Sequence, residues 1–385
     1  MLTDELLRFI QEEKNISMKF VKEAQKRGKG VYLYGAGHHL RFAVQFMQKY
    51  KINIKAILDT NREGEYCGIP IIRFAEFMRS EPDQDSWFVI SAPSVSEEIT
   101  AVLSDSLPRE NIFSFEMEFY LDYIPDVEEY REYLLSHWKE LSAFSEQLSD
   151  DHSRKTLEDV LKGRISGEIK YFRQCYVPDQ YYPNDIIHLG KGEVMVELGA
   201  NNGETLEEFL RLCPDYHAVY CFEPDTNCLP ILNGIKKKTG REGTIHIVPK
   251  GAWDCAEVLE FCSDGECAGN AHIVVGRGGN ASFQIETATV DAEVSEPVSF
   301  LKMDIEGAEL RALHGAEQQI TENHPKLAVC VYHRIDDILN IWNYLRELIP
   351  EYRFYLRHHN RSAATETVLY AVGAGKSIEP EIGDT

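Results

Sequence analysis

The sequence predicts an α/β protein with two domains, each a mostly parallel sheet covered by helices. Three observations carry that prediction. An apolar strand twice runs into a glycine turn and opens a helix, at VYLYGAG (31–37) and at EVMVELGANNG (193–203). After each of these starts, further apolar runs alternate with helical patterns. The length of 385 residues, with 43% hydrophobic and 11% aromatic residues, is enough for two cores and more than one usually serves. The expected division is a smaller α/β domain over 1–122, a helical connector over 123–178, a second α/β domain over 179–375 and a polar tail, 376–385, that frays.

In the first domain, residues 2–28 read as one helix, because Leu6, Leu7, Ile10, Ile16, Phe20 and Val21 recur at helical spacing. Gly28 and Gly30 end it. The strand VYLYGAG, the helix HLRFAVQFMQKY, the strand IKAILDTN, the turn-rich GIPII, a helix around FAEFM and the strand WFVISAP follow. The turn Tyr34-Gly35-Ala36-Gly37-His38-His39-Leu40, with Asp59 after the next strand, resembles the start of a Rossmann nucleotide-binding unit. Leu40 stands where that pattern has its third glycine, so a scaffold or homo-oligomerisation role is favoured over a nucleotide or nucleotide-sugar site. Residues 123–178 are charged and helical; they either connect the two sheets or complete one domain's helical layer.

The second domain offers EVMVELG, AVYCFEP, IHIVPKGAW, VSFLKMDIE, KLAVCVYH, FYLRHH and TVLYAV as strands. Its turn runs Glu197-Leu198-Gly199-Ala200-Asn201-Asn202-Gly203-Glu204-Thr205. Gly199 allows a sharp bend and close approach to a ligand. The helix starting near Thr205 aims unpaired N–H groups at the same place. Glu223, followed by Pro224, ends the next strand 20 residues beyond Gly203. A carboxylate there can accept both ribose hydroxyls. Glu197 puts an acid at the end of the first strand, where a pyrophosphate would be repelled and the ammonium of a methionine moiety welcomed. The combination favours S-adenosylmethionine (SAM) over NAD.

The run DQYYPNDIIHLGKGEVMVELGANNGETLEEFL, then CFEPDTNCL, VSFLKMDIEGAELRALHGAEQQI and HPKLAVCVYHRIDDI, resembles the FkbM-type methyltransferases over roughly residues 165–373, about half the chain. LKMDIEGAE at 301–309 is its most specific piece. Asn201 departs from the wider SAM pattern, which often has glycine there. The resemblance implies a class I SAM-methyltransferase fold, Rossmann-like in build. It implies SAM as methyl donor with S-adenosylhomocysteine as product, and O-methylation of a sugar, glycan precursor or other small hydroxyl compound. It also implies that the loop around Tyr181 folds over the cofactor, and the third strand's end, near Trp253, is where adenine rests in such a fold.

Methyl transfer to oxygen needs donor and acceptor held in line and the hydroxyl proton removed. Asp304 and Glu306, alternate residues of an extended segment, can both face the site. They would contact acceptor or SAM; a divalent metal between them is the less favoured reading. Lys302, on the same side of the strand, pairs with an acid or reaches the surface. His333, at the end of KLAVCVYH, suits a general base, with Tyr332 and Arg334 beside it. His358 and His359 are weaker candidates.

The formal net charge of −23, from 63 acidic against 40 basic residues, argues against nucleic acid or a membrane surface as partner. The start of the sequence does not resemble a signal peptide and no apolar run reaches transmembrane length, so a cytoplasmic location is expected. The nine cysteines are expected to be free thiols; the spacing of Cys255, Cys262 and Cys267 fits no common zinc module. Two other functions stay open: an NAD(P)- or nucleotide-sugar-dependent oxidoreductase or epimerase acting through the first domain, and a non-catalytic SAM-binding module.

Overall fold

The computed structural model describes residues 2–37, 39–80, 85–123, 126–262, 272–273 and 282–373. His38, Cys267 and the expected tail lie outside the described residues. The chain forms two compact units: Met1–Ser145 with Arg154–Val177 and His358–Glu366, and Glu146–Ser153 with Pro178–Arg357 and Thr367–Thr385. The helical segment 123–178 is thus shared between units, and residues 358–366 count with the first. Three contacts inside the first unit hold them: the Glu116 carboxylate accepts the Ala364 N–H at 2.8 Å, Arg164 donates to the Ala364 carbonyl at 3.4 Å, and the His359 ring bonds the Val177 carbonyl at 3.0 Å.

In the first unit, strands β1 (Val31–Tyr34), β2 (Ile54–Asp59), β3 (Gly64–Tyr66), β4 (Ile69–Arg73), β5 (Phe88–Ile90) and β6 (Ile112–Phe113) form one sheet in the order β3-β4-β2-β1-β5-β6. All its pairings are parallel except the β3–β4 hairpin. Its core holds Leu58, Phe88, Leu103 and Ile112, with Phe74 and Met78 packed against it. The expected single N-terminal helix is two, Asp4–Glu12 and Ile16–Arg27. Asn15 makes the break. Its Oδ1 caps the second helix by accepting the Met18 N–H, while its Nδ2 donates to Tyr120 Oη and the Ile165 carbonyl. Helical periodicity continues through such a cap, so the pattern did not reveal it.

In the second unit, β7 (Val194–Leu198), β8 (Ala218–Phe222), β9 (Ile245–Val248), β14 (Phe300–Met303), β15 (Lys326–Cys330), β16 (Tyr352–His358) and β17 (Thr367–Gly373) form a sheet ordered β16-β17-β15-β14-β7-β8-β9. The run from β15 to β9 is parallel and β17 pairs antiparallel with β15. Strands β7, β8 and β14 are buried along their whole length, as expected where helices cover both faces. β10 (Gly251–Ala252), β11 (Val258–Cys262), β12 (His272–Ile273) and β13 (Ser282–Ala288) make a small second sheet that the sequence reading did not anticipate.

Among the described residues, Cys67, Cys175, Cys213, Cys221, Cys255 and Cys330 are free thiols. Cys228 is disulfide-bonded, which corrects the free-thiol expectation at that position. No helix among the described residues is long and apolar enough to cross a membrane.

Candidate active site

The connections of the second sheet reverse direction between β14 and β7, so their carboxyl ends frame a crevice of the kind that binds ligands in open α/β sheets. Register sets Lys302 beside Glu197 and Met303 beside Leu198. The Asp304 N–H then bonds the Leu198 carbonyl at 3.1 Å. Gly199 follows with φ 80°, and a Cβ there would stand 2.0 Å from the Asp304 carbonyl oxygen. Only glycine allows the two chain segments to meet so closely.

The glycine turn has three further supports. Gly203 (φ 82°) caps the helix Glu204–Leu212, and a Cβ on it would meet Ile235 Cδ1 at 2.4 Å. Ala200 is buried. Asn201 adopts φ 45° and gives its N–H to Glu223 Oε2 at 2.7 Å. The other Glu223 oxygen accepts the Asp225 N–H at 2.8 Å, and Pro224 between them is half-buried. Burial pushes the Glu223 carboxyl above its ordinary range against these bonds. The Thr205 carbonyl accepts the Tyr182 hydroxyl at 3.1 Å, tying the helix start to the loop before β7.

Glu197 is a carboxylate inside a fully buried strand. Burial pushes its carboxyl up to about 7, with Lys302 the chief opposing influence. Oε1 stands 3.7 Å from Lys302 Nζ, and no hydrogen bond reaches it among the described residues. Lys302 Nζ instead donates to the Gly199 carbonyl at 2.9 Å and lies over the Tyr181 ring. Lys302 is therefore buried, not a surface lysine.

Tyr181 takes the left-handed conformation (φ 68°), is buried, and donates its hydroxyl to Asp304 Oδ2 at 2.7 Å. Tyr332 reaches the other oxygen at 3.3 Å. Burial alone would raise the Asp304 carboxyl, but Lys302, His333 and the Tyr181 hydroxyl hold it below its usual range. Glu306 corrects the expectation of an extended segment. At φ 54°, with Gly307 at φ 90°, the chain turns sharply. The turn, and not strand alternation, brings both acids to one histidine: His333 Nε2 is 3.5 Å from Asp304 Oδ1 and 3.5 Å from Glu306 Oε2.

The opposite ring nitrogen, His333 Nδ1, lies 2.9 Å from Glu309 Oε1. Side-chain exposure is 1% for His333 and 0% for Glu309, against 26% for Asp304 and 16% for Glu306. The latter two are thus the members of the cluster open to a ligand. Burial alone would lower the His333 pKa, but Glu309, Glu306 and Asp304 together raise it well above the ordinary histidine value. Asp337 lies behind the pair, pushed up to about 7 by burial and by Glu309, and accepts the Arg334 N–H at 2.7 Å.

Glu309 and Asp337 were not singled out by sequence reasoning. The available signal for Glu309 was its place in the first turn of a helix, where a carboxylate can reach back to an earlier N–H. Two short helices follow the turn, Glu309–His314 and Glu317–Asn323. They part at Gly315, where a Cβ would stand 2.0 Å from the Trp253 carbonyl oxygen. Trp253 is buried with Arg311 over its ring at 5.5 Å. His358 and His359 belong to the first unit and do not join the cluster. His358 is fully buried, bonded to the Ala363 carbonyl, and lowered by burial to about 3. Atoms of Asp304, Glu309 and His333 lie within 4.8 Å of one another, close enough for a cation, but Glu309 and His333 are already in direct contact.

Sheet order, switch-point crevice and acid-lined turn together define a class I methyltransferase fold of Rossmann-like build. The chain is similar over 96% of its length, and over 98% of the other's, to the crystal structure of the methyltransferase FkbM from Methylobacillus flagellatus, with TM-score 0.73 and 24% identity. Residues 197–360 match the model of the methyltransferase FkbM domain. Weaker similarity extends to a precorrin-6y C5,15-methyltransferase from Geobacter metallireducens (11% identity, TM-score 0.32, 52% of this chain and 94% of that one). It also extends to fibrillarin from Aeropyrum pernix, crystallised with natively bound SAM (11%, TM-score 0.31, 49% and 70%). No curated protein matches the chain.

Proposed function

We propose that the second unit methylates a hydroxyl of a sugar, glycan precursor or other small compound, using SAM and releasing S-adenosylhomocysteine. The observation that carries this reading is the His333 imidazole, set between Glu309 on one side and two partly open carboxylates on the other, beside a glycine turn lined by Glu197 and Glu223. SAM supplies an electrophilic methyl on a sulfonium. Glu197, whose Oε1 is buried with no hydrogen bond among the described residues, would receive the ammonium of the amino-acid moiety. Glu223 uses one acceptor site on each oxygen for backbone N–H groups and keeps others for ribose hydroxyls. Gly199, Ala200 and Asn201 would form the wall against the cofactor, with Tyr181 closing over it and Trp253 toward the adenine.

Asp304 and Glu306 would orient the acceptor hydroxyl. His333 Nε2 would take its proton, which requires a neutral ring. The two nearby carboxylates favour the protonated ring, so activity should rise with pH along a limb above the ordinary histidine value. The direct Glu309–His333 contact supports a proton-handling pair over a metal held by the same groups. The test is titration calorimetry with S-adenosylhomocysteine, followed by a screen of sugars and glycans with methyl-labelled SAM. Micromolar binding and label transfer to an oxygen support the reading. No binding by folded, ligand-free protein would overturn it.

A further inference from the structure

We propose that Glu309 is the positioning residue of this site: it holds His333 in the Nδ1–H tautomer, so that Nε2 is the nitrogen presented to the acceptor. The inference rests on the function just proposed and adds a role for a residue that never meets substrate.

The geometry is specific. Glu309 Oε1 makes two contacts: it accepts the Ile305 backbone N–H at 3.0 Å and stands 2.9 Å from His333 Nδ1. The first bond ties the carboxylate to the turn that carries Asp304 and Glu306. The second ties the imidazole to that same turn. One oxygen thereby fixes the histidine relative to both acids. Glu309 is 1% exposed and its Oε2 is buried with no hydrogen-bond partner among the described residues, so the side chain has no role toward solvent. A buried carboxylate with one unsatisfied oxygen is costly, and a purely structural position would be better filled by glutamine or an apolar residue. With Nδ1–H given to Glu309, the Nε2 lone pair points toward the acids that are open to the crevice. The same division of labour places a carboxylate behind a histidine base in hydrolytic triads.

Four acids face this histidine. Asp304 and Glu306 come from the segment after β14, Glu309 from the following helix, and Asp337 from the helix Asp337–Leu348. Tyr332 and Arg334 adjoin it in the chain. Removing the Glu309 charge while keeping its shape should therefore lower the His333 pKa without moving the ring. Glu309→Gln does this. Its amide oxygen can keep both donors, because the Ile305 N–H demands an acceptor at that position, and its NH2 takes the place of the unbonded Oε2.

The experiment needs no acceptor. Full-length protein with 15N-labelled histidine is titrated by long-range 1H–15N NMR, with His333 assigned from the spectrum of His333→Asn. In the wild type, His333 should carry its proton on Nδ1 when neutral and titrate above the ordinary value. In Glu309→Gln the tautomer should persist and the titration should fall by about one unit or more. In Glu309→Ala the tautomers should mix. Glu309→Gln should still bind S-adenosylhomocysteine within about twofold of wild type, which shows that it is folded. An unchanged tautomer and pKa in folded Glu309→Gln and Glu309→Ala would overturn the proposal.

Once an acceptor is in hand, Glu309→Ala should lose kcat on the order of 10²-fold with KM little changed. The acid limb of kcat/KM should move down in Glu309→Gln. A limb that stays put while His333→Asn is inactive overturns only the role of Glu309. Full activity in His333→Asn, or activity lost to a chelator and restored by Mg²⁺, overturns the base reading beneath it.

Discussion

Each unit ends its first strand in a glycine turn and places a carboxylate at or just past the end of its second. In the first unit, Asp59 accepts the Ala36 N–H at 2.8 Å with one oxygen and the Asn61 and Arg62 N–H groups, both at 2.9 Å, with the other. Arg62 reaches back to the Ala36 carbonyl, and Ser91, just past β5, gives its hydroxyl to the Tyr34 and Gly35 carbonyls. The turn is closed by its own groups. In the second unit, Glu223 accepts one N–H on each oxygen, while the neighbouring strand β14 brings Lys302 and then Asp304 up to the turn. A buried acid, Glu197, stands there with one oxygen that no hydrogen bond reaches among the described residues. The strand–glycine–helix start is the same; the strand that joins it differs. What differs at the two turns is the buried Glu197–Lys302 pair, not the glycine motif.

The comparison can be broken most forcefully at the glycines. Gly199→Ala puts a Cβ on the Asp304 carbonyl in a left-handed conformation. It should cost about 3 kcal/mol or more and abolish S-adenosylhomocysteine binding, as read by melting temperature and calorimetry. Gly37→Ala, with open space around it, should be near neutral. Similar melting temperatures for the two variants would show that the turns are not built differently.

The paired carboxylates come next. Glu223→Ala should weaken S-adenosylhomocysteine binding about tenfold or more. Asp59→Ala should leave that affinity unchanged while lowering stability by about 1–2 kcal/mol. The Asp59 pKa is lowered: burial opposes this, but the three N–H bonds outweigh it. Its contribution is therefore present above the unfolded carboxylate value and lost as pH falls through the folded one. Acid unfolding followed at pH 5 to 2 should show a smaller dependence in Asp59→Ala.

Glu197 supplies a subtler test. Its carboxyl titrates near about 7, and an ammonium group binds better to the ionised form. Affinity for S-adenosylhomocysteine should therefore rise by several-fold as pH increases through about 7, and Glu197→Gln should flatten that rise. A slope unaffected by the substitution would remove Glu197 from the pocket. The smallest expected effect is none at all: NAD should not shift the melting temperature, because Asp59 already accepts three N–H groups of its own turn.

The residue pattern by itself determined the two α/β sheets, both glycine turns and the acids Glu197, Glu223, Asp304 and Glu306. These signals are local: a strand's apolar run, a glycine at a bend, an acid at a strand's end. Short, nearly continuous apolar runs also placed β7, β8, β14 and β15 closely. Only the tertiary structure decided the rest. The break at Asn15 depends on Tyr120 and Ile165, more than a hundred residues away in the chain. The break at Gly315 depends on the approach of the Trp253 backbone. Residues 358–366 count with the first unit because Glu116 and Arg164 hold them there. Glu309 looks like any charged residue in the first turn of a helix until the fold sets His333 against it. A buried ion pair is a statement about two distant residues sharing one low-dielectric space, and periodicity along a single chain carries no record of that.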